Sequence, residues 1–322
     1  MPLNNEIRYI DGTLHVESVP LTRIAKEFGS PTYVYSRAHI EKNARTYIDT
    51  LGDWPHQICY AVKANSNLAI LSLLANLGCG FDIVSGGELQ RVIAAGGDPT
   101  KTVFSGVAKS SEEIELAIRN RIGCINIESE AELERIAEIA AGLNTVVPVS
   151  FRVNPDVDPK THPYISTGLK ESKFGVAFDQ ARMLYRKAAA MSVVNIIGID
   201  CHIGSQLTQI EPFCDAIDRL LVLIDQLKED GIAIDHLDIG GGLGIDYASE
   251  NVPPISAFTE AIKSHLGDRR IKLLIEPGRS IVGNSAVLLT EVEYIKPSET
   301  KNFAIVDAGM NDLIRPTLYS AW

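Results

Sequence analysis

Lys63 lies in the run Tyr60-Ala61-Val62-Lys63-Ala64-Asn65, among small and apolar neighbours at the end of an apolar stretch. A lysine there is costly unless its charge snorkels to the surface or its amine is held out of water as a nucleophile. Three other groups could act with it. The run Gly240-Gly241-Gly242-Leu243-Gly244 offers backbone N–H groups with no side chain in the way, as a phosphate needs. Ile245 stands where a dinucleotide fingerprint would place its last glycine, and a glycine run alone is as often a tight turn. His202, in His-Ile-Gly-Ser, reads either as a core histidine or as a flat ring stacked on a planar ligand. Glu276, before Pro277, is either a structural acceptor or a carboxylate that keeps a ligand's ring nitrogen protonated. No second histidine or carboxylate lies near His202 at metal-ligand spacing, so no metal is expected.

Eight short apolar runs position these groups: QICYAV (57–62), GFDIV (80–84), TVFS (102–105), CINIE (124–128), VVPVSFRV (146–153), IIGIDCHI (196–203), HLDIG (236–240) and KLLIE (272–276). Helical patterns separate them. NLAILSLLANLG has apolar residues at helical spacing and a closing glycine, Gly86-Gly87-Glu88 opens ELQRVIAAGG, and Ser110 and Ser129 stand where helix caps belong. DAIDRLLVLIDQLKEDG is the most strongly amphipathic stretch. Strands apolar on both faces, alternating with helices, imply a parallel sheet covered by helices. Eight units over roughly 230 residues fit an α/β fold of the (β/α)8 barrel type, usually about 250 residues long. A doubly wound sheet would want a glycine fingerprint after its first strand, and YAVKAN has none.

The expected barrel covers residues 36–285. Residues 1–35 and 286–322 fall outside the repeat and read as part of a β-rich second domain. RYIDGTLHVES suggests a hairpin about Asp11-Gly12, and AVLLTEVEYIKPSETKNFAIVDAGM alternates like antiparallel strands. Barrel chemistry sits at the C-terminal strand ends. Those ends carry Lys63, Asp82, Ser85, Ser105, Arg152, Asn154, His202, Ser205, the glycine run and Glu276-Pro277-Gly278-Arg279. The glycines and Gly278-Arg279 follow strands seven and eight, the usual place for a barrel phosphate. Lysine, phosphate cradle, stacking histidine and glutamate together describe a pyridoxal 5'-phosphate site, with Lys63 desolvated, partly neutral and carrying the cofactor as a Schiff base. Asp82 reads as a turn cap and Arg152 either as a support for the cofactor hydroxyl or as a strand bridge, and both stay outside the expected site.

Composition narrows the class. The chain of 322 residues is 45% hydrophobic with a net charge of −11, which disfavours nucleic acid and anionic membrane as partners. Five scattered cysteines with no CxxC pair suit reduced thiols in a cytoplasmic protein. The start, MPLNNEIRYIDGTL, lacks the basic and apolar regions of a signal peptide, and no apolar stretch is long enough to span a bilayer.

YAVKAN, FDIVSGGEL, FRVNPDVDPKTHPYISTGLKESKFG, HIGSQ, DIGGGLGIDY, EPGRSIVG and RPTLY, in this order, resemble the diaminopimelate decarboxylases. These belong to the barrel-type pyridoxal phosphate-dependent decarboxylases, with ornithine and arginine decarboxylases, and are related to alanine racemase. The resemblance runs from about Ile24 to Tyr319. It implies decarboxylation of meso-2,6-diaminopimelate to L-lysine, the last step of lysine biosynthesis, by a homodimer with shared active sites. By position it makes Lys63 the Schiff-base lysine and His202 the stacked ring, both catalytic. Ser205, Gly241, Gly242, Glu276, Gly278 and Arg279 become cofactor contacts, and Arg279, Arg315 and Tyr319 substrate contacts. A distal carboxylate suits bidentate arginines, whereas the bare distal ammonium of ornithine would want acids.

The family also carries a Cys-Glu-Ser motif, with the cysteine as proton donor to the neighbouring subunit's site, and a later tyrosine. No cysteine here precedes Glu-Ser, and the sequence stops at Trp322 in the middle of the β pattern. The expectation is therefore a shortened chain that binds the cofactor, turns over slowly and dimerises less well. The competing readings are a decarboxylase of ornithine, arginine or carboxynorspermidine, a non-catalytic cofactor-binding homologue, and a cofactor-free Schiff-base aldolase.

Overall fold

The computed structural model describes residues 5–158, 173–247 and 251–319. It divides into two units, one of Asn43–Ile245 and Asn251–Ile281, the other of Met1–Lys42, Asp246–Glu250 and Val282–Trp322. The second unit opens on β1 (Ile7–Ile10), β2 (Thr13–Val16) and β3 (Val19–Pro20), antiparallel in that order. The expected Asp-Gly hairpin is present. Asp11 and Gly12 both have positive φ, 48° and 78°, as a two-residue turn matched to strand twist requires. A helix the β-rich reading of this end did not include, α1 (Leu21–Phe28), follows, and Leu21 packs with Ile7 and Val16. Then comes β4 (Thr32–Tyr35).

After α2 (Arg37–Leu51) the barrel begins. Its first half is β5 (His56–Ala61), α3 (Leu68–Asn76), β6 (Gly80–Ile83), α4 (Gly86–Ala94), β7 (Thr102–Phe104), α5 (Ser111–Arg119), β8 (Cys124–Ile127) and α6 (Glu130–Gly142). The second half is β9 (Val147–Asn154), β10 (Val176–Ala177), α7 (Phe178–Ala189), β11 (Val194–Asp200), α8 (Glu211–Glu229), β12 (His236–Asp238), α9 (Ile255–Leu266), β13 (Lys272–Ile275) and α10 (Arg279–Val282). The strands pair in parallel in the order β9, β11, β12, β13, β5, β6, β7, β8, and β8 returns to β9. All eight expected strands are there and the ring is closed. The short β10 adds to β9 outside it.

Much of both faces of the ring is apolar. Ile58, Phe81, Ile83, Phe104, Ile125, Ile127 and Phe151 are buried. Each such side chain contributes roughly 1.5–3 kcal/mol. Helix starts are set by local polar residues. Asn67, Ser85, Ser110 and Ser129 accept hydrogen bonds from the N–H groups of Ala69, Glu88, Glu113 and Glu132, so α4 is capped by Ser85 rather than by its glycines. Ser110 and Glu113 form a reciprocal capping box. Replacing Ser110 with alanine is expected to lower stability by about 1 kcal/mol in urea denaturation.

The second unit resumes with β14 (Ala286–Leu289), antiparallel to β4, followed by β15 (Val292–Lys296) antiparallel to β16 (Phe303–Val306). The antiparallel pattern read from this segment holds. It ends, however, in a helix, α11 (Arg315–Tyr319), so Arg315 is not in a β segment. Pro316 suits a first helical turn, where its missing N–H costs nothing.

Candidate active site

Strand periodicity assembles the site. Cys59, Val103, Cys124 and Leu274 form one buried apolar cluster. Two residues further along the same strands, hence on the same face, stand Ala61, Ser105, Asn126 and Glu276. The interior turns polar towards the strand ends. Ser105 Oγ donates to Glu276 Oε1 at 3.4 Å, Asn126 Nδ2 donates to Ser105 Oγ at 3.1 Å, and Ser150 Oγ donates to Asn126 Oδ1 at 2.7 Å.

Lys63 occupies a single 3-10 turn, Val62–Ala64, just after β5. Its Nζ donates to Asp82 Oδ2 at the end of β6, and the side chains of the two are 46% and 0% exposed. The expectation of a partly neutral amine is corrected here. Burial works against the charge, but Asp82 and Glu276 outweigh it and the amine is held above its ordinary pKa. Lys63 is held as an ammonium, half-buried and paired to a buried acid.

The glycine run wraps the next two strand ends. A Cβ on Gly241 would lie 2.1 Å from the carbonyl oxygen of Glu276, so only glycine fits. Gly242 has φ +118°, and a Cβ there would lie 2.4 Å from the Gly204 oxygen. Gly278 lets its loop pack against Ala61 and Ala64, beside the Lys63 turn. Arg279 Nη2 donates to Ser205 Oγ at 3.1 Å and its Nη1 donates to Gln206 Oε1 at 3.4 Å, which joins the loops after β11 and β13.

His202 follows β11. The Gly241 N–H donates to His202 Nδ1 at 3.2 Å, which assigns the ring proton to Nε2. Burial, then the charges of Arg152 and Lys63, drive its pKa well below the usual histidine value. The ring is therefore neutral in the fold. In histidine-labelled protein without cofactor, its resonances are expected not to titrate between about pH 8 and pH 5. The linked stability is complete above the unfolded-state value and is lost as pH falls through the folded one, because the unfolded chain then binds the extra proton.

Glu276 does not stand alone. Asp200 ends β11, Asp238 ends β12, and one carboxylate oxygen of each lies within 4.8 Å of the others and of one from Glu276. Register explains it: Asp200 is paired with both Arg152 and Asp238 across neighbouring strands. Like charges this close cost about 3 kcal/mol per pair at an effective dielectric of 20, so the three cannot all be ionised. Burial first, then the neighbouring acids, raise Glu276 well above the usual carboxylate range; burial and Asp238 do the same for Asp200, and Asp238 is raised to about 7.

Arg152, set aside in the sequence reading, belongs to this layer. It pairs with Glu128 at 3.2 Å, donates to the His202 carbonyl at 3.3 Å and stacks 4.8 Å over Phe174. Glu128 in turn accepts the N–H groups of Gly106 at 2.9 Å and Gly175 at 3.0 Å. Asp82, read as a turn cap, is instead the partner of Lys63. The available signal was an acid inside an apolar run, as in GFDIV, IIGID and HLDIG, which is costly without a partner.

Thus Lys63, His202, Ser205, Gly241, Gly242, Glu276, Gly278 and Arg279 all belong to the barrel unit and its strand-end loops. Arg315 belongs to the other unit, where its guanidinium lies 3.8 Å over the Tyr247 ring. Tyr319 closes the same helix, and its side chain lies outside the described residues, as do residues 159–172 of the motif that starts at Phe151.

Residues 37–283 match the model for the pyridoxal-dependent decarboxylase, pyridoxal binding domain. The chain belongs to this family. A diaminopimelate decarboxylase of Pseudomonas aeruginosa is 59% identical over 98% of the chain and 76% of that relative. The crystal structure of diaminopimelate decarboxylase from Helicobacter pylori complexed with L-lysine has a TM-score of 0.91 and 42% identity, over 94% of this chain and 76% of that one. That of M. jannaschii, in co-complex with L-lysine, has a TM-score of 0.93 and 39% identity, over 99% of this chain and 77% of that one. Pyridoxal phosphate is the family's cofactor, and this site fits it. Gly241 and Gly242 let their loop pack directly on the Glu276 and Gly204 carbonyls, and the Lys63 amine, the neutral His202 ring and the buried Glu276 acid share one electrostatic neighbourhood at these strand ends.

Proposed function

We propose that the chain is a carboxy-lyase that converts meso-2,6-diaminopimelate to L-lysine and carbon dioxide. The observation that carries this reading is the joint presence of the barrel constellation and 59% identity to a diaminopimelate decarboxylase. Bound pyridoxal phosphate supplies an electron sink for the pair left behind when carbon dioxide departs. The remaining work falls to the chain. Lys63 carries the cofactor covalently, its amine oriented by Asp82. The Gly242 N–H, with Ser205, Gly278 and Arg279, would receive the phosphate, and Gly241, whose own N–H is held by His202, would shape the loop beside it. His202 would stack on the cofactor as a neutral plane, and Glu276 would keep its ring nitrogen protonated. Arg279, Arg315 and Tyr319 hold the distal amino-acid end of the substrate, where a guanidinium matches a carboxylate.

We assign the barrel to residues 36–285 and the β-rich part to the two ends. The protein works as a homodimer with shared active sites in the cytoplasm. Exposed Val292, Tyr294, Ile295, Phe303, Ile314 and Leu318 in the second unit support an interaction surface there. All five cysteines are free and buried, which supports a reducing compartment, and among the described residues no helix is long and apolar enough to cross a membrane. Carbon dioxide release from meso-diaminopimelate, ornithine, arginine and carboxynorspermidine tests the activity. Release from diaminopimelate alone is expected; preference for a diamine-forming substrate would overturn it. Sedimentation analysis tests the dimer.

A further inference from the structure

The polar layer of the barrel holds more acid than its cations neutralise. Facing Glu276 are Asp238 from β12, Asp200 from β11, Asp82 from β6, Lys63 after β5 and Arg152 from β9, with the thiols of Cys59 and Cys201. Lys63 is engaged by Asp82, and Arg152 by Glu128. That leaves Asp200, Asp238 and Glu276, mutually within 4.8 Å, with no ion-pair contact among the described residues. They are 1%, 0% and 5% exposed, so water does not dilute their repulsion.

The contacts inside the cluster point to a held proton. Asp238 Oδ1 accepts the Gly240 N–H at 2.9 Å, whereas Asp238 Oδ2 and Asp200 Oδ1 are buried with no donor. Asp238 and Glu276 present carboxylate oxygens within 4.8 Å of each other. Two charged carboxylates so placed repel, and a proton on one removes that repulsion. The register of β9, β11 and β12 fixes the arrangement, so the acids cannot relax apart.

We propose that Asp200 and Asp238 are positioning residues that act through Glu276, keeping it protonated in the cofactor-free protein so that the proton a pyridine nitrogen needs is already in the site. This rests on the reading that Glu276 faces that nitrogen. With the cofactor bound, Glu276 would give up the proton of its O–H bond to form the ring N–H bond, keep the electron pair and remain as the counter-charge. No proton is drawn from solvent for this step, and the net charge of the site is unchanged. The upward shifts of all three acids accord with this.

Calorimetric titration of the cofactor-free protein with pyridoxal phosphate, in buffers of different ionisation enthalpy, counts the protons exchanged. Asp238→Asn and Asp200→Asn preserve shape but remove a negative neighbour, so Glu276 ionises before binding. At about pH 8 each variant is expected to take up more protons than the parent, up to about one per site. An unchanged count in both overturns the proposal. Glu276→Gln tests the underlying reading separately. A visible spectrum of the loaded variant identical to that of the parent would show that Glu276 does not face the ring, whatever the asparagine variants do. If neither asparagine variant folds, infrared spectra of the cofactor-free parent decide. A buried protonated-carboxyl band at neutral pH, lost in Glu276→Gln, is expected, and its absence overturns the proposal.

Discussion

Lys63→Ala is expected to abolish the visible absorbance of protein-bound pyridoxal phosphate and to lower carbon dioxide release by at least about 10⁴-fold, the upper range for one positioned proton-transfer group. The turn Val62–Ala64 presents this amine beside Asp82, and Glu276 adds to the field that favours its charge. The raised pKa changes how the amine must be used. It stores a positive charge until a phosphate-bearing ligand, which brings its own negative charge, is present to compete with Asp82. Lys63→Arg is expected to be equally inactive, because a guanidinium is not deprotonated in a protein. Both variants should retain the circular dichroism of the parent, since nearly half of the Lys63 side chain is exposed. Residual turnover close to that of the parent in the alanine variant would remove the basis of the assignment.

Arg152→Ala is expected to destabilise the barrel by about 3–5 kcal/mol in urea denaturation, because it leaves the Glu128 carboxylate buried without its cation. Surface ion pairs such as Arg119 with Glu115 are worth at most about 1 kcal/mol by comparison. Arg152 also serves the His202 carbonyl, and Glu128 holds the N–H groups of Gly106 and Gly175. Loss of this pair therefore loosens three strand-end loops together. The double variant Arg152→Ala with Glu128→Ala should recover part of the loss, since no uncompensated charge remains. A cycle with no coupling between the two positions would contradict the role given to the pair.

The barrel was legible because its signals are local. Each of the eight runs carries its own apolar content, the helices α3 to α6 their own side-chain caps, and the Asp11-Gly12 hairpin its own turn chemistry. The chemistry-bearing ends of those runs could be read from the same pattern, which is why Lys63, His202, Gly241, Gly242 and Glu276 stand out without coordinates. Short signals were less informative. The helices α1 and α11 lie in the chain ends assigned to the β-rich part, beyond the stretches read as strands, and packing on Ile7 and Val16 decides the first of them.

What the sequence by itself determined is the set of eight barrel strands, the glycine positions and the lysine, histidine and glutamate at the barrel mouth. Only the tertiary structure decided which acid meets which cation. Ser105 and Glu276 are 171 positions apart, and Asp200, Asp238 and Arg152 become neighbours only through strand register. The charge state of Lys63 is likewise not a property of YAVKAN. Burial alone would lower its pKa, and the nearby Asp82 and Glu276 reverse the sign. Electrostatic energy depends on distances through space and on exclusion of water, and neither quantity is carried by a stretch of chain read on its own.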